Sequence, residues 1–318
     1  MLTFIRMDLK FQVHALQWLN EKPMLAVLGQ LANGTGKLYI YKLVKNELIP
    51  EHGNCSFMTM PNAMGVLGND LVIAEESQLS IWDPTDLVLP KKVISLKSSV
   101  QCMDCFGGSK NEPGPPEIVV GTTNKIELYD VREDKPVVEI FEKMQPWAVA
   151  FGNAQDVDNR NVAVGFANGF LKIYDLTKQQ CIWEVNTGSL GICCLEFSNK
   201  IAFQTTITAG CLRGVFHVFH IADLKNVVHL IHENKEEPAT IWTLGHSPQN
   251  PDKVMICVNN IVQLFQINKD TLKLVDSIHG GVEQPINKFQ WNKKLDGLCA
   301  FSSYDQVLNV MMVANVNK

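Results

Sequence analysis

Residues 161–176, NVAVGFANGFLKIYDL, hold two short alternating segments joined by Asn168-Gly169. Asn-Gly tolerates the positive φ of a tight turn, so the stretch reads as a β-hairpin whose second strand ends at Tyr174 and Asp175. That second half recurs through the chain as GKLYIYKL, QLSIWDP, NKIELYDV, GVFHVFHI, NIVQLFQI and QVLNVMMV. The place of Tyr174 is taken in turn by Tyr41, Trp82, Tyr129, Phe219, Phe265 and Met311. In chain order the seven positions are 41, 47, 45, 45, 46 and 46 residues apart. The apolar period inside each copy is two rather than 3.6, which excludes the helical repeats of similar length.

Other strands fill the interval. A short apolar segment precedes each aromatic one, as at 24–28, 70–74, 117–120 and 253–257, with Asn33-Gly34 and Asn124 marking further turns. Before that pair comes HALQW, MPNAM, CMDCF, WAVAF, CCLEF, WTLGH or NKFQW, ending at Trp18, Met64, Phe106, Phe151, Phe197, His246 and Trp291. Outer strands follow at 92–96, 137–141, 181–185, 227–231 and 272–276. Four strands per repeat at this spacing match the blade of WD-repeat propellers. The expectation is an all-β, single seven-bladed WD-repeat β-propeller over residues 1–318. The chain stops soon after Val313, leaving the last blade without an outer strand, and Thr3–Leu9 can supply it. Pairing of this N-terminal strand with the last blade would close the ring and remove two open edges.

Composition narrows the function. With 28 basic against 33 acidic residues, a net charge of −5 and no basic run longer than two, the chain lacks the footprint for nucleic acid or an anionic membrane. Charges interrupt the N-terminus where a signal peptide would be apolar, and no apolar run approaches the length of a span. Nine scattered cysteines fit a reducing compartment. An intracellular protein is expected.

No catalytic, cofactor-binding or metal-ligating residue is assigned. The chain has no G-x-S-x-G or H-E-x-x-H, and Leu31 stands where a P-loop ending at Gly36-Lys37 needs its first glycine. Cys102 and Cys105 are three apart on a strand and face opposite sides, without a second pair to complete a zinc site. Alternation likewise separates His217 from His220 and His229 from His232. The doublets Glu75-Glu76 and Glu236-Glu237 read as solvated turns, and the polar loops 109–116 and 154–161 as exposed connections open to partner contact.

A propeller's rim is a rigid platform for binding. In WD-repeat propellers the residue four before the inner strand's last aromatic faces the top rim. That spacing selects His14, Met60, Cys102, Trp147, Cys193, Trp242 and Asn287. His14, Met60, Trp147, Trp242 and Asn287 are the candidate protein-binding residues. The two tryptophans are the strongest anchors, since interface hot spots are enriched in Trp. The alternative is that they plug the channel or pack between blades.

Blade-specific blocks add a resemblance. GQLANGTGKLYIYKL (29–43), PGPPEIVVGTTNKIELYDVR (113–132), the run from Trp147 to Leu176, LEF (195–197), GVFHVFHI (214–221), QPINKFQW (284–291) and GLCAFSSYDQVLNV (297–310) resemble, in order, the Monad-type WD-repeat family of dynein axonemal assembly factors and chaperone adaptors. The resemblance implies a non-enzymatic, cytoplasmic, monomeric scaffold acting in pre-assembly of axonemal dynein. It implies RuvB-like ATPases, prefoldin-like subunits and dynein chains as partners, with no nucleic acid, membrane or cofactor. The chain departs from the family pattern in lacking the Gly-His before the inner strands. Asp305 alone clearly keeps the hairpin aspartate, Phe265 and Met311 replace the strand tryptophan, and Asn259-Asn260 replaces a glycine turn. No binding residue is carried over from the family. The alternatives are a WD-repeat scaffold in another assembly or a phosphoinositide-binding propeller, the latter echoed by Cys211-Leu212-Arg213-Gly214.

Overall fold

The computed structural model describes the chain apart from residues 20–22, 58, 60, 110–111, 155, 157, 202–204, 235–237, 315 and 317–318, and residues 52–54 by backbone only. Its strands form seven four-stranded antiparallel sheets. Six are built from consecutive strands. The seventh combines Ile286–Trp291, Leu298–Ser303 and Val307–Met312 with the first strand of the chain, Leu2–Asp8. The register runs from Leu2 opposite Met312 to Asp8 opposite Val307, and the Leu9 amide extends it by donating to the Gln306 carbonyl at 2.8 Å. The expected seven-bladed propeller, closed by its N-terminal strand, is what the chain forms. The outer strand of blade one, Glu47–Phe57, was not picked out by the repeat.

Each blade packs on its two neighbours around the ring. Strands second from the centre, such as Asn161–Phe166, are buried on both faces and read as near-continuous apolar runs. Outer strands such as Asn226–Glu233 alternate, because only one face meets a neighbour. Val149, Phe151, Val164 and Tyr174 of blade four pack on Phe106, Val119 and Leu128 of blade three. Its opposite face lays Ala148, Ala163 and Ile173 on Phe197, Ile207 and Phe219 of blade five. The seven repeat positions found first, from Tyr41 to Met311, are all buried between blades. Each contributes roughly 2–3 kcal/mol of apolar burial. Phe265 and Met311 can therefore replace a tryptophan, since the site requires bulk.

The turns follow their residues. Gly34 and Gly169 take φ of 87° and 82°, while Asn124 keeps a negative φ, against expectation. In blade six, Asn259 adopts φ 52° and does the work of the missing glycine. Leu212–Gly214, the connection between two strands of blade five, is a tight turn that carries Arg213 and Gly214 at φ 61° and 73°.

Candidate protein-binding rim

The inner strands all begin at one mouth of the central channel, and most begin with the same irregularity. The register slips by one residue between Val13 and Ala15, Pro61 and Ala63, Pro146 and Ala148, Ile192 and Cys194, and Ile286 and Lys288. A bulge leaves the extra residue unpaired and re-aims its side chain. His14, Asn62, Trp147, Cys193 and Asn287 are those extra residues. In blade three, Gln101 occupies the place, its amide sharing the Gly121 carbonyl side of the Cys102–Gly121 pair. In blade six, Trp242 directly precedes the Thr243–His246 strand.

Two positions differ from the spacing rule. In blade two, Ala63 opposite Ala74 corresponds to Ala148 opposite Gly165, so Val66 fills the place of Phe151 and the rim residue is Asn62. Met60 lies outside the described residues. In blade three, Cys105 fills that place, Gln101 is exposed, and Cys102 turns into the contact with blade four. Counting back from the last aromatic or bulky residue fails where the anchoring position holds Val or Cys.

The rim divides into two halves. On the polar half, the Asn62 Nδ2 donates to the Val100 carbonyl at 2.9 Å and the Asn287 Nδ2 to the Val13 carbonyl at 2.7 Å, each tying its blade to the next. Asn287 also accepts from Ser302 Oγ at 2.8 Å and is buried, which removes it from the candidate binding surface. His14 is half-buried, and burial together with the charge of Lys288 holds its imidazole below the ordinary pKa.

The other half is apolar. Trp147 and Trp242 remain 36% and 40% exposed at equivalent places on blades four and six. The Trp147 ring lies over Gly191, where a Cβ would come within 2.4 Å of it. Trp242 meets Tyr304 edge to face at 6.3 Å between ring centroids. Leu190, 53% exposed, lies in the connection from blade four to blade five. Neither tryptophan is buried between blades, and neither hydrogen-bonds another described residue through its side chain, in contrast to the rim asparagines.

Below the rim is a cavity of about 370 Å³, lined by inner-strand residues of all seven blades. Its far end is ionic. The Lys200 ammonium of blade five reaches Asp104 of blade three at 2.5 Å, and Lys293 of blade seven pairs with Glu112 of the loop following the blade-three inner strand. Glu196, held by the His246 backbone amide at 2.8 Å, has its carboxyl pushed up to about 7 by burial.

Two clusters weighed in the sequence resolve as structural. Cys102 faces blade four while Cys105 faces blade two, and burial pushes the Cys102 thiol up to about 12 and raises that of Cys105. In blade five, alternation separates the histidines within each strand, but across the strands the His217 Nδ1 and His229 Nε2 are 2.9 Å apart. His217 also meets Ser189 Oγ at 2.8 Å, and burial with the neighbouring His229 lowers its pKa to about 4. Beside this hydroxyl–imidazole–imidazole chain the Gly188 and Ser189 amides donate to Asn186 Oδ1 and Thr187 Oγ1, so neither is free to stabilise an oxyanion. Among the described residues no group of three or more His, Cys, Asp or Glu could hold a metal ion. Among those residues no helix is long and apolar enough to cross a membrane either.

Seven four-stranded blades closed by the first strand, with a bulged inner ring, define a seven-bladed β-propeller. Its shape matches the β-propeller domain of Cps50 (Swd1) from Myceliophteria thermophila with a TM-score of 0.75, over 98% of this chain and 100% of that one, at 13% identity. In sequence the chain is similar to dynein axonemal assembly factor 10 of Xenopus laevis, 28% identical over 358 residues covering 99% of this chain and 96% of the relative. It is 27% identical to the human protein of that name over 99% and 96% of the two chains, and 27% identical to that of Chlamydomonas reinhardtii over 100% and 97%. The resemblance carried by the blade motifs thus extends over nearly the whole chain. No protein-family model matches it.

Proposed function

We propose that the protein is a non-enzymatic interaction scaffold in the cytoplasmic pre-assembly of axonemal dynein, acting as a monomeric adaptor between chaperone machinery and dynein chains. The observation that carries this is similarity over nearly full length to proteins named dynein axonemal assembly factor 10 in animals and an alga. The propeller supports it physically, because a rigid ring can present Trp147, Leu190, Trp242 and Tyr304 with little ordering cost on binding. RuvB-like ATPases and prefoldin-like subunits are the partners on the chaperone side. An epitope-tagged copy purified from its own cells should retain these proteins or dynein chains. Recovery of none of them, while other chaperone complexes stay intact, would overturn the proposal.

A further inference from the structure

In every inner strand, one residue directly follows the bulge or its equivalent and is paired with the second strand just past the slip. Six of the seven are small: Ala15, Ala63, Cys102, Ala148, Cys194 and Thr243. The seventh is Lys288. The other blades fit a methyl, thiol or hydroxyl group there, so a four-carbon stem must project elsewhere, and Lys288 lines the central cavity just inside the rim. Among the described residues no carboxylate or other acceptor meets its ammonium. The acidic groups of the far end are engaged, Asp104 by Lys200 and Phe151, Glu112 by Lys293, and Glu196 by the His246 amide. Lys288 is half-buried, and that burial lowers its pKa, as expected for a cation with no carboxylate beside it.

A half-buried cation with no carboxylate beside it costs stability, and six blades show that the fold does without it. A small inorganic anion would satisfy the charge but leave the aromatic half of the rim uncovered. An extended peptide can do both, placing one side chain in the cavity and apolar neighbours on the rim. We propose that the upper mouth of the cavity receives an acidic side chain from a partner peptide, its carboxylate on Lys288 and its apolar flanks on Trp147, Leu190, Trp242 and Tyr304. This rests on the assignment of the rim as the binding surface and specifies what that surface selects.

The test is a selection of a random-peptide phage library on the immobilised full chain, followed by fluorescence anisotropy with the enriched peptides. Enriched sequences should carry Asp or Glu beside Leu, Phe or Met. Their Asn or Gln counterparts should bind at least about tenfold more weakly. Lys288→Met should weaken the acidic peptides by a similar factor, Lys288→Arg should largely retain them, and Lys288→Glu should select basic peptides. Melting temperatures of all three variants control for folding. Failure to enrich acidic peptides, or equal binding by wild type and by well-folded Lys288→Met and Lys288→Glu, overturns the inference. If Trp147→Ala with Trp242→Ala abolishes partner retention in cells while Lys288→Met does not, the rim remains the binding surface and the acidic selectivity is wrong.

Discussion

The Glu196 carboxylate of blade five accepts the backbone N–H of His246 in blade six at 2.8 Å. The same relation recurs two blades earlier, where Asp104 accepts the Phe151 amide at 2.9 Å. Acidic residues on inner strands thus clamp the following blade, and the protonation of Glu196 is coupled to the stability of the ring. Burial raises Glu196 to about 7, so the unfolded chain releases this proton at lower pH than the native one. Its contribution to stability is complete below the ordinary Glu range and is lost as pH rises through 7. His246, lowered to about 4 by burial, acts in the opposite sense, contributing above its ordinary range and losing that as pH falls towards 4. The wild-type profile therefore contains opposed terms that a variant separates. Glu196→Gln keeps an acceptor for His246 and should gain about 1–2 kcal/mol relative to wild type between pH 5 and pH 8, a figure reduced for water in the channel. Urea titrations at the two pH values measure it, and a constant difference contradicts the assignment.

Ring closure depends on the first strand. Removing residues 1–10 deletes the partner of the Val307–Met312 edge along with the buried Ile5 and Leu9. An open sheet edge and a lost inter-blade core should leave the truncated protein unfolded or aggregated. Light scattering and thermal unfolding decide this. A monomeric truncated chain with unchanged melting temperature would show that the strand is dispensable.

The exposure of Trp147 depends on its glycine support. Gly191 has φ +37°, and a Cβ there would stand 2.4 Å from the indole. Gly191→Ala should cost about 1–2 kcal/mol through backbone strain and force the ring to move. It should reduce partner retention as Trp147→Ala does. Wild-type retention by a folded Gly191→Ala protein would mean that the position of this ring does not matter for binding.

The repeat made the blades and their closure legible, because burial between blades demands an apolar residue every second position and a bulky one where each third strand ends. Those same anchors failed locally. Val66 and Cys105 fill the bulky place of the inner strand in blades two and three, so the rim residues Asn62 and Gln101 were missed. Asn287 held the right position, but sequence does not reveal that Val13 and Ser302 occupy its amide. The contact between His217 and His229 also escaped, since alternation along one strand says nothing about a diagonal pair across two. Lys288 stands out as the one long side chain in a column of small residues only after the bulges set the alignment, and those are visible in the structure alone.

The most direct measurement is quantitative affinity purification from the protein's own cells, comparing the wild type with the Trp147→Ala, Trp242→Ala double variant at matched abundance and melting temperature. Dynein chains with RuvB-like and prefoldin-like proteins should be recovered with the wild type and depleted roughly tenfold or more with the variant, as for loss of two interface anchors. Recovery of none of them with the wild type, or equal recovery with both, would contradict a dynein-assembly scaffold that binds through this rim.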